Sequence, residues 1–387
     1  MTISLRVGGT DFSIWTDVEI TRSMDAASGT FSFTSASDEY NFLPVKAGDP
    51  VSVVINNKTV ISGFVDRVEV AYDAYNHVIR VSGRDKTSDV IDSKVDHEIE
   101  FQAPITLESV AEQVLSNIGA SSVKVVSEVG DIPPFVKGEL LSASIGQTAF
   151  DFIESYARKR QILITTNGKG DLVLTRAKES STALEFRNIV GGNANNIKSA
   201  EVSYDHSRRY SDYKLYSQGN PGGDPYANES STQLTDRTST FSDSEVRGSR
   251  KYSNLAESSS KEETLEERVR WEGEIRKAKS FSYKCTVVGF GPSKDGAPYS
   301  PNSMARVADD FAGVHRELLI TDVTYNLSVR EGSTTSLTLI PKEAYSKLKS
   351  TDQFQPKEGR ESLRQQVRER ESAEEIENLW NTNNKNN

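Results

Sequence analysis

One segment restricts the fold of this chain more than any other. Through Ile61-Ser62-Gly63-Phe64-Val65-Asp66-Arg67-Val68-Glu69-Val70 and on to Tyr72, alternation sets Phe64, Asp66, Val68, Val70 and Tyr72 on one face. Val65, Arg67, Glu69 and Ala71 take the other. A period of two is that of a half-buried strand. Asp73 to His77 supplies a polar turn. The chain returns as Val78-Ile79-Arg80-Val81-Ser82, whose Ile79 and Val81 can pair with the apolar face. Gly83-Arg84-Asp85-Lys86 stops this arm, and a charged loop runs on to Asp89 and Asp92. The prediction is a β-hairpin that closes one side of a small barrel or sandwich and empties into a charged exit loop.

The rest of the first 95 residues has the same character. Gly8-Gly9-Thr10-Asp11 breaks a first strand pair, Phe31-Ser32-Phe33-Thr34 alternates, and Val51 to Ile55 precedes the turn residues Asn56-Asn57. Residues 1–95 are expected to be all β. The period then changes: Leu107, Val110, Ala111, Val114, Leu115 and Ile118 form a continuous helical stripe. Thr106 is placed to cap its start and Gly119 to end it. A second helix is expected from about Gly146 to Arg160, with Ala149, Phe152, Ile153, Tyr156 and Ala157 inward and Arg158-Lys159-Arg160 at its negative end. Strands at 161–166 and 171–175 flank Asn167-Gly168, a strong hairpin signal. Residues 96–180 therefore read as a small α+β domain.

Beyond Gly191-Gly192, strands return at 197–204 and 210–217. A polar loop is expected over 218–244 and a charged helix over about 260–279, opened by a capping box at Ser260-Lys261-Glu262-Glu263 and presenting Leu265, Val269 and Ile275. A second long hairpin follows, with Leu319, Thr321, Val323, Tyr325, Leu327 and Val329 alternating before the turn at Glu331-Gly332-Ser333 and the return at 336–340. It echoes the first in length, and both have a short strand upstream, Val51 to Ile55 and Met304 to Val307. Residues 346–387 are expected to form a charged helical tail with a disordered end, its apolar anchors being Leu363, Val367, Ile376, Leu379 and Trp380. Such a helix either stays solvated or docks on a partner.

Composition narrows the chemistry. The formal charge of -10 opposes general or sequence-specific nucleic-acid binding, which needs a basic face. No run approaches the roughly 18 apolar residues of a membrane span. Met1-Thr2-Ile3-Ser4-Leu5-Arg6-Val7 reads as a strand rather than a secretory signal, which predicts cytoplasmic synthesis and assembly. The single Cys285 lies in an apolar strand and is expected to be a buried structural thiol. His77, His97, His206 and His315 are scattered, so no metal site is expected. Gly289-Phe290-Gly291-Pro292-Ser293-Lys294 lacks the spacing of a phosphate loop and reads as a turn. No catalytic residue and no cofactor site is assigned.

The hairpin at 61–92 is similar to the corresponding segment of the baseplate hub proteins of Mu-like contractile-tailed bacteriophages. The resemblance extends to Phe150-Asp151-Phe152-Ile153-Glu154-Ser155-Tyr156-Ala157-Arg158-Lys159-Arg160, to Gly168-Lys169-Gly170-Asp171-Leu172-Val173-Leu174-Thr175-Arg176, and to Pro301–Val307, Leu318–Val323 and Leu337–Pro341. These pieces keep the family's order across most of residues 1–345. The resemblance implies a mainly β protein with two similar tube-type β-barrels, 1–95 and 181–345, around the α+β insert and ahead of the C-terminal charged helix. It implies a non-enzymatic homotrimer in the virion tail baseplate, assembled in the host bacterial cytoplasm. In such a hub the trimer adapts a sixfold tail tube, directly or through a tube adaptor, to a threefold central spike among baseplate wedge proteins and forms an axial channel open to DNA, for which the net charge of -10 suggests an acidic lumen. Two other readings are a tail-associated peptidoglycan hydrolase and the spike base of a type VI secretion system. Arg84, Asp85, Lys86, Asp89 and Asp92 are candidates for a subunit contact, against the plainer reading of a charged loop. Leu363, Val367, Ile376, Leu379 and Trp380 are candidates for docking on the spike or a neighbouring hub.

Overall fold

The computed structural model describes residues 2–36, 45–74, 77–136, 143, 145–179, 184–217, 238–256 and 265–345. The tail anchors Leu363, Val367, Ile376, Leu379 and Trp380 lie outside them, as do the capping box at 260–263 and residues 218–237 of the polar loop.

The first part contributes β1 (Ile3–Val7), β2 (Thr10–Phe12), β3 (Asp17–Ser23), β4 (Thr30–Ala36), β5 (Pro50–Ile55), β6 (Lys58–Tyr72) and β7 (His77–Asp85). They pair in the order β3-β4-β7-β6-β5-β1-β2. The predicted cross-strand partners meet, Val68 opposite Val81 and Val70 opposite Ile79. The expected face of β6 is corrected. A β-bulge leaves Asp66 unpaired between Val65 and Arg67. Before it, Ile61, Gly63 and Val65 point into the core, and after it the phase switches so that Val68 packs inward. Val70 and Tyr72, expected to be buried, are exposed because among the described residues this end of β6 is flanked by β7 alone.

The insert contains α1 (Ser88–Asp92), α2 (Leu107–Asn117), β8 (Val125–Ser127), α3 (Ala149–Lys159), β9 (Leu163–Thr166) and β10 (Leu172–Thr175). The helical stripes are buried as their spacing requires: Leu107, Val110, Ala111, Val114 and Leu115 from α2, and Ala149, Phe152, Ile153, Tyr156 and Ala157 from α3. Thr106 and Thr148 cap the two helices by accepting from Ser109 N and Asp151 N, each contact contributing about 1 kcal/mol. The Asn167-Gly168 turn joins β9 to β10, and the sheet β8-β10-β9 packs with the helices in a core of its own. That turn rests on β6, where Ser62 Oγ donates to Gly168 O at 2.9 Å.

The last part holds β11 (Glu185–Asn188), β12 (Ile197–Tyr204), β13 (Asp212–Ser217), β14 (Thr238–Ser242), β15 (Lys251–Ala256), α4 (Leu265–Lys279), β16 (Phe281–Val288), β17 (Ser303–Asp309), β18 (Val314–Ser328) and β19 (Gly332–Ile340). The polar loop predicted to reach residue 244 is shortened, since β14 pairs with β13 and joins β15 in a separate three-stranded sheet. On α4 the buried residues are Val269, Gly273 and Ala278, so the expected anchor Ile275 is only half-buried. Gly273 admits the Phe241 ring of β14 against the helix. Cys285 is buried as predicted, and burial pushes its thiol up to about 12.

The mainly β class with an α+β insert stands. The two β parts, however, share one 13-stranded sheet and one hydrophobic core rather than two closed ladders. Their junction is β18 against β3, antiparallel from Asp322–Ser23 to Ser328–Asp17. On either side of it the strands repeat. β3-β4-β7-β6-β5-β1 in the first part corresponds in strand order to β12-β16-β19-β18-β17-β11 in the second, except that β1 runs antiparallel to β5 whereas β11 runs parallel to β17. β6 and β18 each have 15 residues and one bulge in the ladder with the return strand, and the return strands β7 and β19 each have nine.

Candidate assembly surface

The charged exit loop is a tight intrachain cluster. β7 delivers Arg84 to the bulged Asp66 of β6, Nε to Oδ2 at 2.7 Å, while its second nitrogen meets Asp92 of α1 at 2.7 Å. The two carboxylates, Asp92 first, raise the guanidinium pKa, and Arg84 in turn lowers that of Asp92. Asp89 is shifted upward by partial burial and by the nearby charges of Asp92 and Asp66. All of these groups except Asp85 are at least partly exposed.

Asp85 faces the other way. It is fully buried and accepts from Gly29 N at 2.7 Å, from Ser28 Oγ at 3.1 Å and from Thr87 N at 3.1 Å, with the Thr87 hydroxyl against the same carboxylate. Of the five expected contact residues, this one has no surface to offer a second subunit. Lys86 N bonds Ser62 O at 3.1 Å and its Nζ reaches Ser122 O at 3.4 Å, tying the loop to the insert. The structure therefore brings Arg84, Asp89 and Asp92 together with Asp66, and sets Asp85 and Lys86 to bracing the chain itself.

Arg84 pairs at the surface are worth little individually. Arg84→Gln is expected to lower unfolding free energy by no more than about 1 kcal/mol in urea titration. A much larger loss would mean that the cluster holds β7 to α1.

A second feature is the solvent face of the large sheet. One row runs Thr286, Ser336, Thr324, Thr21, Thr30 and Arg84 across six adjacent strands. The next runs Asn326, Glu19, Ser32, Ser82 and Arg67, continued on β19 by the buried Thr334. Short hydroxyl side chains dominate, with Thr21 and Thr324 3.1 Å apart across the junction. The core face of the same strands is Val18, Ile20, Phe31, Phe33, Val323, Tyr325 and Leu337, all buried.

Three family profiles match in chain order: the N-terminal part of Mu phage baseplate assembly protein GpP-like over residues 2–85, the second domain of baseplate hub protein gp44-like over 87–176, and the fourth domain of Mu phage baseplate assembly protein GpP over 261–347. The chain belongs to the Mu-type baseplate hub family. Baseplate hub protein gp44 of Escherichia phage Mu is 27% identical over 346 residues, covering 89% of either chain. The 43 kDa tail protein of prophage MuSo2 from Shewanella oneidensis has the same fold, with a TM-score of 0.73 at 24% identity over 90% of this chain and all of the other. The tail protein from Neisseria meningitidis MC58 gives 0.74 at 18% identity, covering 89% and 97%. This hub-family chain is thus a structural tail protein rather than an enzyme, and it works among other baseplate components. What sequence reasoning missed is the hydroxyl face, because polar alternation on a strand says only that one face is wet.

Proposed function

We propose that the chain is the baseplate hub of a contractile tail, a homotrimer that adapts a sixfold tail tube to a threefold spike and contributes part of the ejection channel. The observation that carries this reading is the internal repeat. Two paths of five equivalently paired strands in each chain become six in a trimer, which is the number a sixfold tube must meet. Residues 1–95 and 181–345 are the two tube-like modules in this reading, with 96–180 as the insert on their flank. Tube, spike and wedge proteins are the partners, and the virion baseplate is the location.

We assign the channel lining to the hydroxyl-rich face. Duplex DNA carries about one charge per 1.7 Å, so a wall of short uncharged hydroxyls offers few cationic sites at which it could be held. Glu19 and Asp322 on this face are matched by Arg84 and Arg67 at its β7–β6 end, which are themselves paired with Asp66, Asp92 and Glu69, so the lining is less acidic than the net charge alone suggests.

Native mass spectrometry of the purified protein at several concentrations tests the oligomer. A species of three times the 42.8 kDa chain mass is expected. A monomer at every concentration counts against the threefold adapter.

A further inference from the structure

The internal repeat has one junction inside the chain and leaves the same junction unmade at two other places. β3 is covered by β18, but its counterpart β12 ends the sheet with an edge that is open among the described residues. β18 is covered by β3 beyond its bulge, but the matching stretch of β6, Arg67 to Tyr72, has no strand there among the described residues. We propose that β12 of one copy adds to the outer half of β6 of the next, repeating the β3–β18 junction between subunits. The proposal rests on the homotrimeric hub reading and specifies its contact.

The register follows from the ladders. Val68, Val81, Phe33 and Val18 stand opposite one another across the first module, and Val323, Leu337, Cys285 and Ala200 across the second. The bulges at Asp66 and Thr321 fall two residues before Val68 and Val323, fixing the same superposition. Within the chain Tyr325 faces Ile20 and Leu327 faces Val18. Transferred to the open edges, Val70 faces Val202, Tyr72 faces Ala200 and Val68 faces Tyr204, while Arg67 comes opposite Asp205.

Exposure supports this register. At the made junction Tyr325 and Ile20 are both 0% exposed. At the open edges Val70 is 52%, Tyr72 78% and Tyr204 67% exposed. Unpaired edges with this apolar content are normally blunted by lysine, proline or a covering element. Neither 67–72 nor 200–204 contains proline or lysine. The two edges differ, so the contact is heterologous and forms a ring if the rotation closes.

Paired antiparallel residues have Cα atoms about 4.5–5.5 Å apart, within disulfide range. The test is therefore full-length V70C/V202C under mild oxidation by diamide, with native Cys285 kept from reacting by its burial. A covalent three-chain species is expected, lost when Val202→Cys is replaced by Ser203→Cys, whose side chain leaves by the other face. The two single variants, each inert alone, should give only a two-chain product when mixed. Self-cross-linking of V70C alone would mean an isologous contact and overturn the proposal. A native trimer in which V70C/V202C does not cross-link would overturn it while leaving the hub reading intact. A monomer at every concentration would remove both.

Discussion

Replacing Gly63 or Gly83 with alanine should destabilise the protein by about 3 kcal/mol, the upper end of what overpacking usually costs. The reason is the crossing of β6 and β7. A Cβ at Gly63 would fall inside the carbonyl oxygen of Arg84, and one at Gly83 inside the carbonyl oxygen of Phe64, with the Phe31 ring 2.6 Å away. The obstructing carbonyls are partner-strand backbone, so rotamer changes cannot relieve them. The strands would have to separate at the site where Val65 pairs with Gly83 and the bulge begins. Urea midpoints at constant m-value read the loss. Gly130→Ala, which meets nothing within 4 Å, should stay within about 0.5 kcal/mol of the parent. If Gly63→Ala behaves like this control, the close approach of the two strands is wrong.

Asp85→Ala should cost as much or more. It strips the acceptor from the buried N–H of Gly29 and from Thr87 N, and a buried donor left without a partner costs about 1–3 kcal/mol. The carboxylate joins the β3–β4 turn to the end of β7 and the start of α1, so the loss spreads to Arg84 and Lys86. A pH dependence follows too. Burial outweighs the donors from Thr87, Gly29, Thr166 and Ser28 and holds the carboxyl above its ordinary 3.8. With the folded pKa raised, the native state keeps its proton longer than the unfolded chain. The group's contribution is then most favourable below 3.8, declines as pH rises toward the raised folded value, and is level above it. The difference in unfolding free energy between the parent and Asp85→Asn, followed against pH, should show that decline. A flat difference curve would mean that Asp85 has the same pKa folded and unfolded.

Much of the scaffold was legible because it depends on local periodicity. Leu107 to Leu115 and Ala149 to Ala157 repeat at helical spacing, Thr106 precedes the first as a cap, and Asn167-Gly168 is a turn in almost any context. The cross-strand partners Val68 and Val81 followed from alternation plus a short turn. Of the small sheet, β13 was expected as a strand at 210–217, but β14 and β15 escaped notice because they are short and rich in Ser, Thr and other polar residues. Its core is confined to a few residues such as Tyr213, Leu215 and Val269. The bulge at Asp66 was equally silent, since alternation cannot say which residue a partner strand will skip.

The sequence by itself determined most of the element types, the two long hairpins, the helical stripes and the buried thiol of Cys285, all set by neighbours a few residues apart. Only the tertiary structure decided that Asp85 turns inward while Arg84 stays at the surface, because the deciding donors come from Ser28 and Gly29 in another turn. It alone decided that the two modules share a sheet, through a ladder joining residues about 300 positions apart. Such long-range pairing depends on backbone hydrogen bonds, which every residue but proline can make, so side-chain pattern leaves no record of which edges meet.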